Sequence, residues 1–277
     1  MYAFGLEEHR RYGEAEKQAK LGLQKIPQDA WAVHALAHVH EMQKRTDEGI
    51  AAINGTENDW KDCNYLACHN YWHWSLFHIE LDRPESASSI YESQIGPKAK
   101  KTGNMLDIVD ATSLLYRLDL LFPKKYSANH WQDLYAVCEP HFADHILGFN
   151  TVHFTMACLG NDRPEKAEEL LDGLRSVKSA DIIKDHWVDI TEQVLQSMID
   201  FKREKYQCSL DRLMAIKNDL LKMGGSDAQR DVFNQLMLVA AVRARSNDVC
   251  RNLLNERQSI RGKDVVVREL SKAMEQC

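Results

Sequence analysis

The segment DRPEKAEELL (162–171) and the earlier segment DRPESASSIY (82–91) both continue from Asp-Arg-Pro-Glu into helix-forming sequence. Proline is tolerated in the first turn of a helix because its missing N–H would have no partner there. The acidic residue that follows is favoured by the positive end of the helix dipole. Similar helix starts occur at YGEAEKQAKLGL (12–23) and TDEGIAAI (46–53). One kind of helix start therefore recurs along the chain.

The spacing of these starts indicates a structural repeat. The starts at 13, 47 and 84 are separated by 34 and 37 residues, and later starts lie near 131, 164, 205 and 247. Apolar residues recur at helical spacing in EKAEELLDGLRSV (165–177) and VDITEQVLQSMIDF (188–201), and alternating strand-like runs are absent. This period is typical of the helix–turn–helix unit of tetratricopeptide repeats, here with insertions.

We predict an all-α protein with a tetratricopeptide-like α-solenoid fold, which is a right-handed superhelix of helix–turn–helix repeats. Tetratricopeptide-like repeats are predicted over 1–175, and degenerate helical repeats are predicted to continue the same superhelix over 176–277. QIGPKAKKTGN (94–104) and LFPKKYSANH (121–130) are predicted to be loops that lengthen the period.

The composition argues against several classes of protein. The 277 residues have a formal net charge of −6 and scattered basic residues, so we expect no nucleic-acid partner. No apolar run is long enough to span a membrane, and the N-terminus lacks the apolar core of a signal peptide. The seven cysteines form no CxxC pair and indicate free thiols in a reducing compartment. We therefore expect a cytoplasmic protein without a membrane partner.

Five longer blocks resemble, in order, the signature segments of the tetratricopeptide repeat protein 38 family. They are DAWAVHALAHVHEM (29–42), LACHNYWHWSLFHIE (66–80), MLDIVDATSLLYRL (105–118), DHILGFNTVHFTMA (144–157) and GGSDAQRDVFNQL (224–236). This resemblance implies a helical repeat fold but does not imply a particular chemistry.

The resemblance also implies further helical repeats before the segment that matches the start of this chain, which begins inside a repeat. We therefore expect a shortened isoform or fragment, or a missing part that a partner supplies. A terminal repeat without a polar cap exposes apolar surface. Tyr2, Phe4 and Leu6 are expected to be partly uncovered and to allow self-association.

Polar residues occur in register on the predicted first helices of successive repeats, which line the concave groove of a tetratricopeptide superhelix. His34 and His38 lie four residues apart, and His69 and His73 repeat this spacing 35 residues later. The corresponding residues on the next two helices are Asp107 with Asp110 and Asn150 with His153. Residues three or four apart share a helix face, so stacked repeats would place these side chains in one polar stripe.

Histidine and carboxylate side chains bind zinc, iron or manganese, and two histidines four residues apart on a helix can bind one ion. The hypothetical metal ligands are His34, His38, His69, His73 and Asp110. The same groups are suited to proton transfer. In the alternative interpretation they are core residues, with His73 satisfied by Asp107 or Asp110. The sequence leaves both interpretations open.

Two functions are compatible with this stripe. Because GxSxG and HExxH motifs are absent, we favour a binding scaffold whose His/Asp-rich concave groove holds a protein or peptide partner. Further groove candidates are Glu41, Asp107, Arg117, Asn150, His153 and Arg230. We expect Arg117 to pair with an acid such as Asp110, and Arg230 to close a helix junction. The alternative is a metal-dependent or acid–base enzyme with its site in the same groove.

Overall fold

The computed structural model describes residues 1–179 and 187–275. Every regular element within these ranges is helical, which confirms the all-α prediction. The α-helices are α1 (Tyr2–Glu8), α2 (Tyr12–Lys25), α3 (Ala30–Met42), α4 (Thr46–Gly55), α5 (Glu57–Trp60), α6 (Ala67–Glu80), α7 (Pro84–Ile90), α8 (Gly96–Thr102), α9 (Met105–Leu121), α10 (Trp131–Cys138), α11 (Gly148–Gly160), α12 (Pro164–Ser179), α13 (Trp187–Lys202), α14 (Tyr206–Ile216), α15 (Asp227–Arg243), α16 (Asn247–Arg261) and α17 (Val265–Glu275). Shorter helical turns lie at Tyr91–Ile95, Glu139–His141 and Lys217–Met223.

The Asp-Arg-Pro-Glu motif forms a tight turn between consecutive helices. Asp162 has a left-handed conformation with a φ of 54°, and the N–H of Arg163 donates to the carbonyl of Cys158 at 2.8 Å. Asp82 and Arg83 repeat this geometry before α7, with a φ of 59° and a closing hydrogen bond of 2.9 Å. This closure satisfies a free carbonyl group at the end of the first helix, and the next helix then begins at proline.

The same turn occurs elsewhere in the described ranges without the proline. The residues with positive φ in these turns are Arg10, Lys44, Glu204 and Arg245, after α1, α3, α13 and α15. Each is followed by an equivalent closing hydrogen bond. The seven predicted helix starts all lie within one residue of an observed start, so these predictions are confirmed.

The first helices of successive pairs pack in a row. Helix α3 contacts α6, α6 contacts α9, α9 contacts α11, and α11 contacts α13. Each also contacts the helix that follows it in the chain. Helix α12 spans the predicted division at 175, and residues 180–186 lie outside the described residues, so that division stays a prediction.

The C-terminal helices return to this row and cover part of it. Helix α15 contacts α9 as well as α14, and α17 contacts α6. Arg117 on α9 donates to the carbonyl of Ala228 in α15 at 2.8 Å. Arg261, at the end of α16, donates to Glu41 on α3 at 3.1 Å and to Glu80 on α6 at 3.3 Å. Charged contacts therefore tie the last helices to the first ones.

One large cluster of buried apolar side chains extends from α3 to α17, and two smaller ones join α1 and α2 to α3. Trp72 is completely buried in the large cluster, and its ring N–H donates to the Ser113 hydroxyl at 3.0 Å. None of the helices in the described part of the chain combines the length and the apolar character that a membrane span needs.

The structure corrects one of the two predicted loops. The loop predicted at 94–104 is wrong, because a π-helical turn joins α7 directly to α8, and α8 continues to Thr102. Pro97 lies in the first turn of α8, where its missing N–H does not break the helix. The helix ends at Gly103, which has a φ of 58°. The second loop is confirmed, since α9 ends at Leu121 and α10 begins only at Trp131.

The three N-terminal apolar residues differ in exposure. Tyr2 is 68% exposed and Phe4 is half-buried, as expected. The expectation for Leu6 is wrong, since this side chain is only 5% exposed and packs with Ala15 and Val39. The first helix pair therefore shares its small cores with α3. Self-association through this end stays a prediction.

Because α4 packs closely on α6, we expect the stability of the protein to be sensitive to a larger side chain at Gly49. A Cβ atom at this position would approach the buried Phe77 ring to 2.5 Å. We expect Gly49→Ala to lower the free energy of unfolding by about 1–3 kcal/mol through overpacking. Gly55→Ala, in the same helix, meets no atom within 4 Å and should be nearly neutral. Urea unfolding measures both values, and equal stabilities would contradict the packing of these two helices.

Candidate functional site

Four histidines from α3 and α6 meet inside the protein. All four are buried, and one ring nitrogen from each lies within 4.8 Å of the corresponding nitrogens of the other three; they are His34, His38, His69 and His73. The rings of His34 and His69 are 4.8 Å apart between centroids, and those of His38 and His73 are 4.4 Å apart. The repeat spacing therefore places equivalent histidines of neighbouring helices side by side, as the sequence predicts.

The hydrogen bonds of these rings leave their Nε2 atoms facing one another. The Nδ1–H of His69 donates to both carboxylate oxygens of Asp110 at 2.9 Å, and the Nδ1–H of His73 donates to Glu41 at 3.3 Å. The Nε2 atoms of His34 and His38 are 3.0 Å apart. The buried Nε2 of His73 has no hydrogen-bond partner. Nε2 of His34 and Nε2 of His38 therefore form one hydrogen bond, in which one donates and the other accepts, beside the unpartnered Nε2 of His73.

A third carboxylate lies behind His38. The nearest oxygen of Glu7, on α1, is 3.6 Å from Nδ1 of His38, which is close but longer than a normal hydrogen bond. Burial raises the pKa of Glu7 to about 8, with the neighbouring Glu8 and Glu41 adding to the effect. Burial likewise raises the pKa of Asp110, although His69 partly opposes the shift. Three acidic side chains thus surround the outer side of the histidine cluster.

Three of the four histidines are held in the neutral form by this environment. Burial is the main cause that lowers the pKa of His34, His38 and His73 well below the usual value, and the neighbouring imidazoles lower it further. A neutral imidazole has a lone pair available for a metal ion. Carboxylates that accept the Nδ1–H bonds fix the ring orientation and increase the basicity of Nε2, as in many metal sites.

A network of buried ion pairs extends from Glu41 to the C-terminal helices. Arg261 donates to Glu41, and its Nε lies 3.6 Å from Asp231 on α15. Arg257 donates to both oxygens of Asp231, at 2.6 and 3.1 Å, and to Asp264 at 2.9 Å. These arginines lower the pKa of Asp231 well below its usual range, against the opposing effect of burial. The carboxylate behind His73 is therefore itself held by a charged partner.

The remaining sequence candidates lie outside the histidine centre. Asp107 is buried but accepts a hydrogen bond from Thr102 at 2.6 Å. Asn150 is half-buried in the first turn of α11. The Nδ1–H of His153 donates to the carbonyl of Phe149 at 2.6 Å. None of these three side chains joins the four rings.

Both arginine candidates stabilise the start of α15. Arg117 does not pair with Asp110; it donates to main-chain carbonyls of Ala228 and Gln229, and its guanidinium lies 5.3 Å from the centroid of the Trp72 ring. Arg230 pairs with Asp227 at 2.5 Å and donates to the carbonyl of Gly225. The expected role of Arg230 at a helix junction agrees with these contacts.

Asp110 does not lie where a direct metal ligand would lie. Both of its oxygens accept from Nδ1 of His69, on the side of the ring away from the centre. Its carboxylate is not part of the group of converging ligand atoms found in the described residues. Asp110 is therefore suited to orient His69 rather than to bind an ion itself.

A cavity of about 280 Å³ lies beside the centre and borders His34, His38 and His69. The half-buried ring of Phe4 lines this cavity, and its centroid is 4.8 and 5.0 Å from those of His34 and His38 on α3. The Trp31 ring meets His34 edge-on at 5.6 Å. The histidine-side cavity, as we call it, gives the centre a connection to its surroundings.

The sequence interpretation missed Glu7, Phe4 and Arg261 as parts of this region. Glu7 and Phe4 precede the first predicted repeat pair that carries histidines, so no register relation marks them. Arg261 is 220 residues from Glu41 along the chain. The four-residue spacing of Arg257 and Arg261 on one helix face was the available signal, but it does not specify a partner.

Comparisons with known proteins do not supply a function for this arrangement. No protein-family model matches the chain. No solved structure gives a significant match.

Burial of His153 predicts a loss of stability in acid. Burial lowers its pKa from 6.5 to about 4, a gap that corresponds to about 3 kcal/mol. Between these values the unfolded chain binds a proton that the folded chain does not, so stability is full above pH 6.5 and falls as the pH approaches 4. We expect His153→Asn, which retains an N–H donor, to reduce this acid-dependent loss by roughly 2–3 kcal/mol. Urea unfolding at pH 7 and pH 4.5 measures the difference, and parallel losses in both proteins would contradict it.

Proposed function

We propose that this protein is a helical-repeat metal-binding protein that holds one divalent transition-metal ion through Nε2 of His34, His38, His69 and His73. The observation that supports this most directly is the convergence of four buried imidazoles, two of which, His69 and His73, direct Nδ1 to carboxylates. Two bonds from each HxxxH helix reach the same centre. The four-residue spacing and the stacking of α3 on α6 together produce this geometry.

The ligand set favours particular ions. Imidazole nitrogen suits zinc, copper, iron and nickel, whereas manganese prefers oxygen ligands. Two Nε2 atoms on a tetrahedral zinc ion with bonds of about 2.0–2.1 Å would be about 3.3 Å apart. The 3.0 Å between His34 and His38 is close to this value. Zinc and iron, among the ions expected from the sequence, fit this donor set better than manganese.

We further propose that the helices form a tetratricopeptide-like solenoid of the tetratricopeptide repeat protein 38 family. The ordered contacts of α3, α6, α9, α11 and α13 and the recurring turn between paired helices support the repeat architecture. Family membership is supported by the signature blocks of the sequence.

A peptide-binding scaffold receives less support at this location. The groove candidates His38, His73, Asp110 and Arg117 are each at most 1% exposed. His38 borders the histidine-side cavity of about 280 Å³ and Arg117 bonds to main-chain carbonyls of α15, so neither lies in an open groove wide enough for a peptide chain. We therefore favour a metal centre over a peptide groove, while a protein partner elsewhere on the surface stays a prediction.

Metal analysis of protein purified without a histidine tag tests this function. We expect one equivalent of zinc or cobalt per chain and a higher melting temperature in the loaded protein, because an ion that binds only the folded state stabilises it. His38→Ala and His73→Ala should each abolish stoichiometric binding. His153→Asn, which changes a buried histidine outside the centre, should leave one equivalent bound. Absence of stoichiometric metal from refilled wild-type protein would contradict the proposal.

The carboxylate behind His69 should tune the affinity. We expect Asp110→Asn to weaken zinc binding by about 10- to 100-fold, the usual effect of losing a carboxylate that orients a histidine ligand. Asp107→Asn is the matched control, because Asp107 lies on the same helix and is also buried but contacts Thr102. Competition with a zinc-binding dye measures both affinities. Equal losses in the two variants would contradict a specific role for Asp110.

A further inference from the structure

The histidine-side cavity offers the proposed metal ion a path to small molecules. It borders His34, His38 and His69, whereas the completely buried His73 closes the opposite side of the centre. A metal site with four protein ligands and no open side is structural, whereas a catalytic site keeps a coordination position for water or substrate. The cavity therefore determines which kind of site this is.

The walls of the cavity are mostly apolar. Phe4, Trp31, Leu66 and Leu106 contribute its apolar side chains. Its volume of about 280 Å³ is nearly twice the roughly 150 Å³ of an engineered cavity that holds benzene. One aromatic ring with a short substituent therefore fits, and burying it against these walls is favourable.

Few polar groups of the cavity are available to a ligand. Ser226 and Gln229 form two hydrogen bonds with each other at the start of α15. The main-chain N–H of Gln229 donates to Oγ of Ser226 at 3.2 Å, and the main-chain N–H of Ser226 donates to Oε1 of Gln229 at 3.0 Å. Glu8 lines the cavity and is exposed to solvent, so its carboxylate disfavours the binding of a negatively charged ligand. A ligand with one polar oxygen would find its best partner in the metal ion.

We infer that the centre is an open metal site whose ion takes a fifth ligand beside the four histidines, an oxygen of a small aromatic or similarly apolar molecule held in the cavity. This inference rests on the proposed metal-binding function. It adds the ligand class and the accessible side, and it assigns Phe4 and Leu106 as determinants of specificity.

Cobalt-loaded full-length protein and two hydroxamates provide the test. Both probes present the same metal-binding oxygens, but benzohydroxamate has an aromatic ring and acetohydroxamate has only a methyl group. We expect benzohydroxamate to change the visible cobalt spectrum and to bind at least tenfold more tightly, with the cobalt still bound to the protein after gel filtration.

Variants of the cavity wall test whether the preference for the aromatic probe comes from binding in this cavity. Phe4→Leu and Leu106→Ala should retain one equivalent of cobalt but reduce the preference for benzohydroxamate to below threefold. Two variants are used so that a folding defect in one does not decide the result. Leu221→Ala, an exposed position away from this cavity, should keep the full preference.

The possible failures are distinguishable. If the wild-type protein binds no stoichiometric cobalt, both the proposed function and this inference are overturned. If cobalt binds but neither hydroxamate alters its spectrum, or the probes remove it, the metal is structural and only the inference fails. Equal affinity for the two probes, or an unchanged preference in both wall variants, would also overturn the assigned ligand class.

Discussion

Burial of four imidazole rings in one place is the constraint on which the surrounding structure depends. Each neutral ring has one N–H donor and one lone pair, and buried polar atoms need partners. His153 finds its acceptor in a carbonyl of its own helix, whereas two rings of the centre find theirs in acidic side chains. Asp110 and Glu41 meet this need for His69 and His73. Carboxylates are thus required where an ordinary repeat core would have apolar residues.

Buried carboxylates in turn require cations, and this requirement links the centre to the far end of the chain. Glu41 contacts Arg261, which lies near Asp231, and Asp231 is held by Arg257. Removal of one partner from such a buried network typically costs about 3–5 kcal/mol, since the remaining charge has no compensation. The position of α16 over the first helices is therefore coupled to the orientation of His73. A mutation in this network would disturb fold and centre together.

Features with a periodic signal could be predicted from the sequence, and features without one could not. The 35-residue offset predicts that His69 lies beside His34, because stacked pairs bring equivalent positions together. The same rule also placed Asp107 in the polar stripe, but this side chain does not join the four histidine rings. Three residues turn a helix by about 300°, so Asp107 and Asp110 differ by about 60° in direction. That difference is enough for Asp107 to face Thr102. Glu7 and Arg261 reach the centre through tertiary contacts that no repeat offset describes.

Packing alone does not account for the hydrogen bonds of the centre. Nε2 of His73, Nδ1 of His34 and Nδ1 of His38 have no hydrogen-bond partner, and Nε2 of His153, outside the centre, has none either. Each unsatisfied polar atom costs about 1–3 kcal/mol, whereas leucine or phenylalanine at these positions would carry no such cost. An ion bound at the Nε2 atoms would satisfy His73, whereas Nδ1 of His34 and Nδ1 of His38 would still lack partners. Glu41 and Asp110, which accept hydrogen bonds from Nδ1 of His73 and His69, would balance the charge of that ion from behind the rings. The unpartnered Nε2 of His73, close to ring nitrogens of three other histidines, is thus the physical reason to consider the cluster a metal centre.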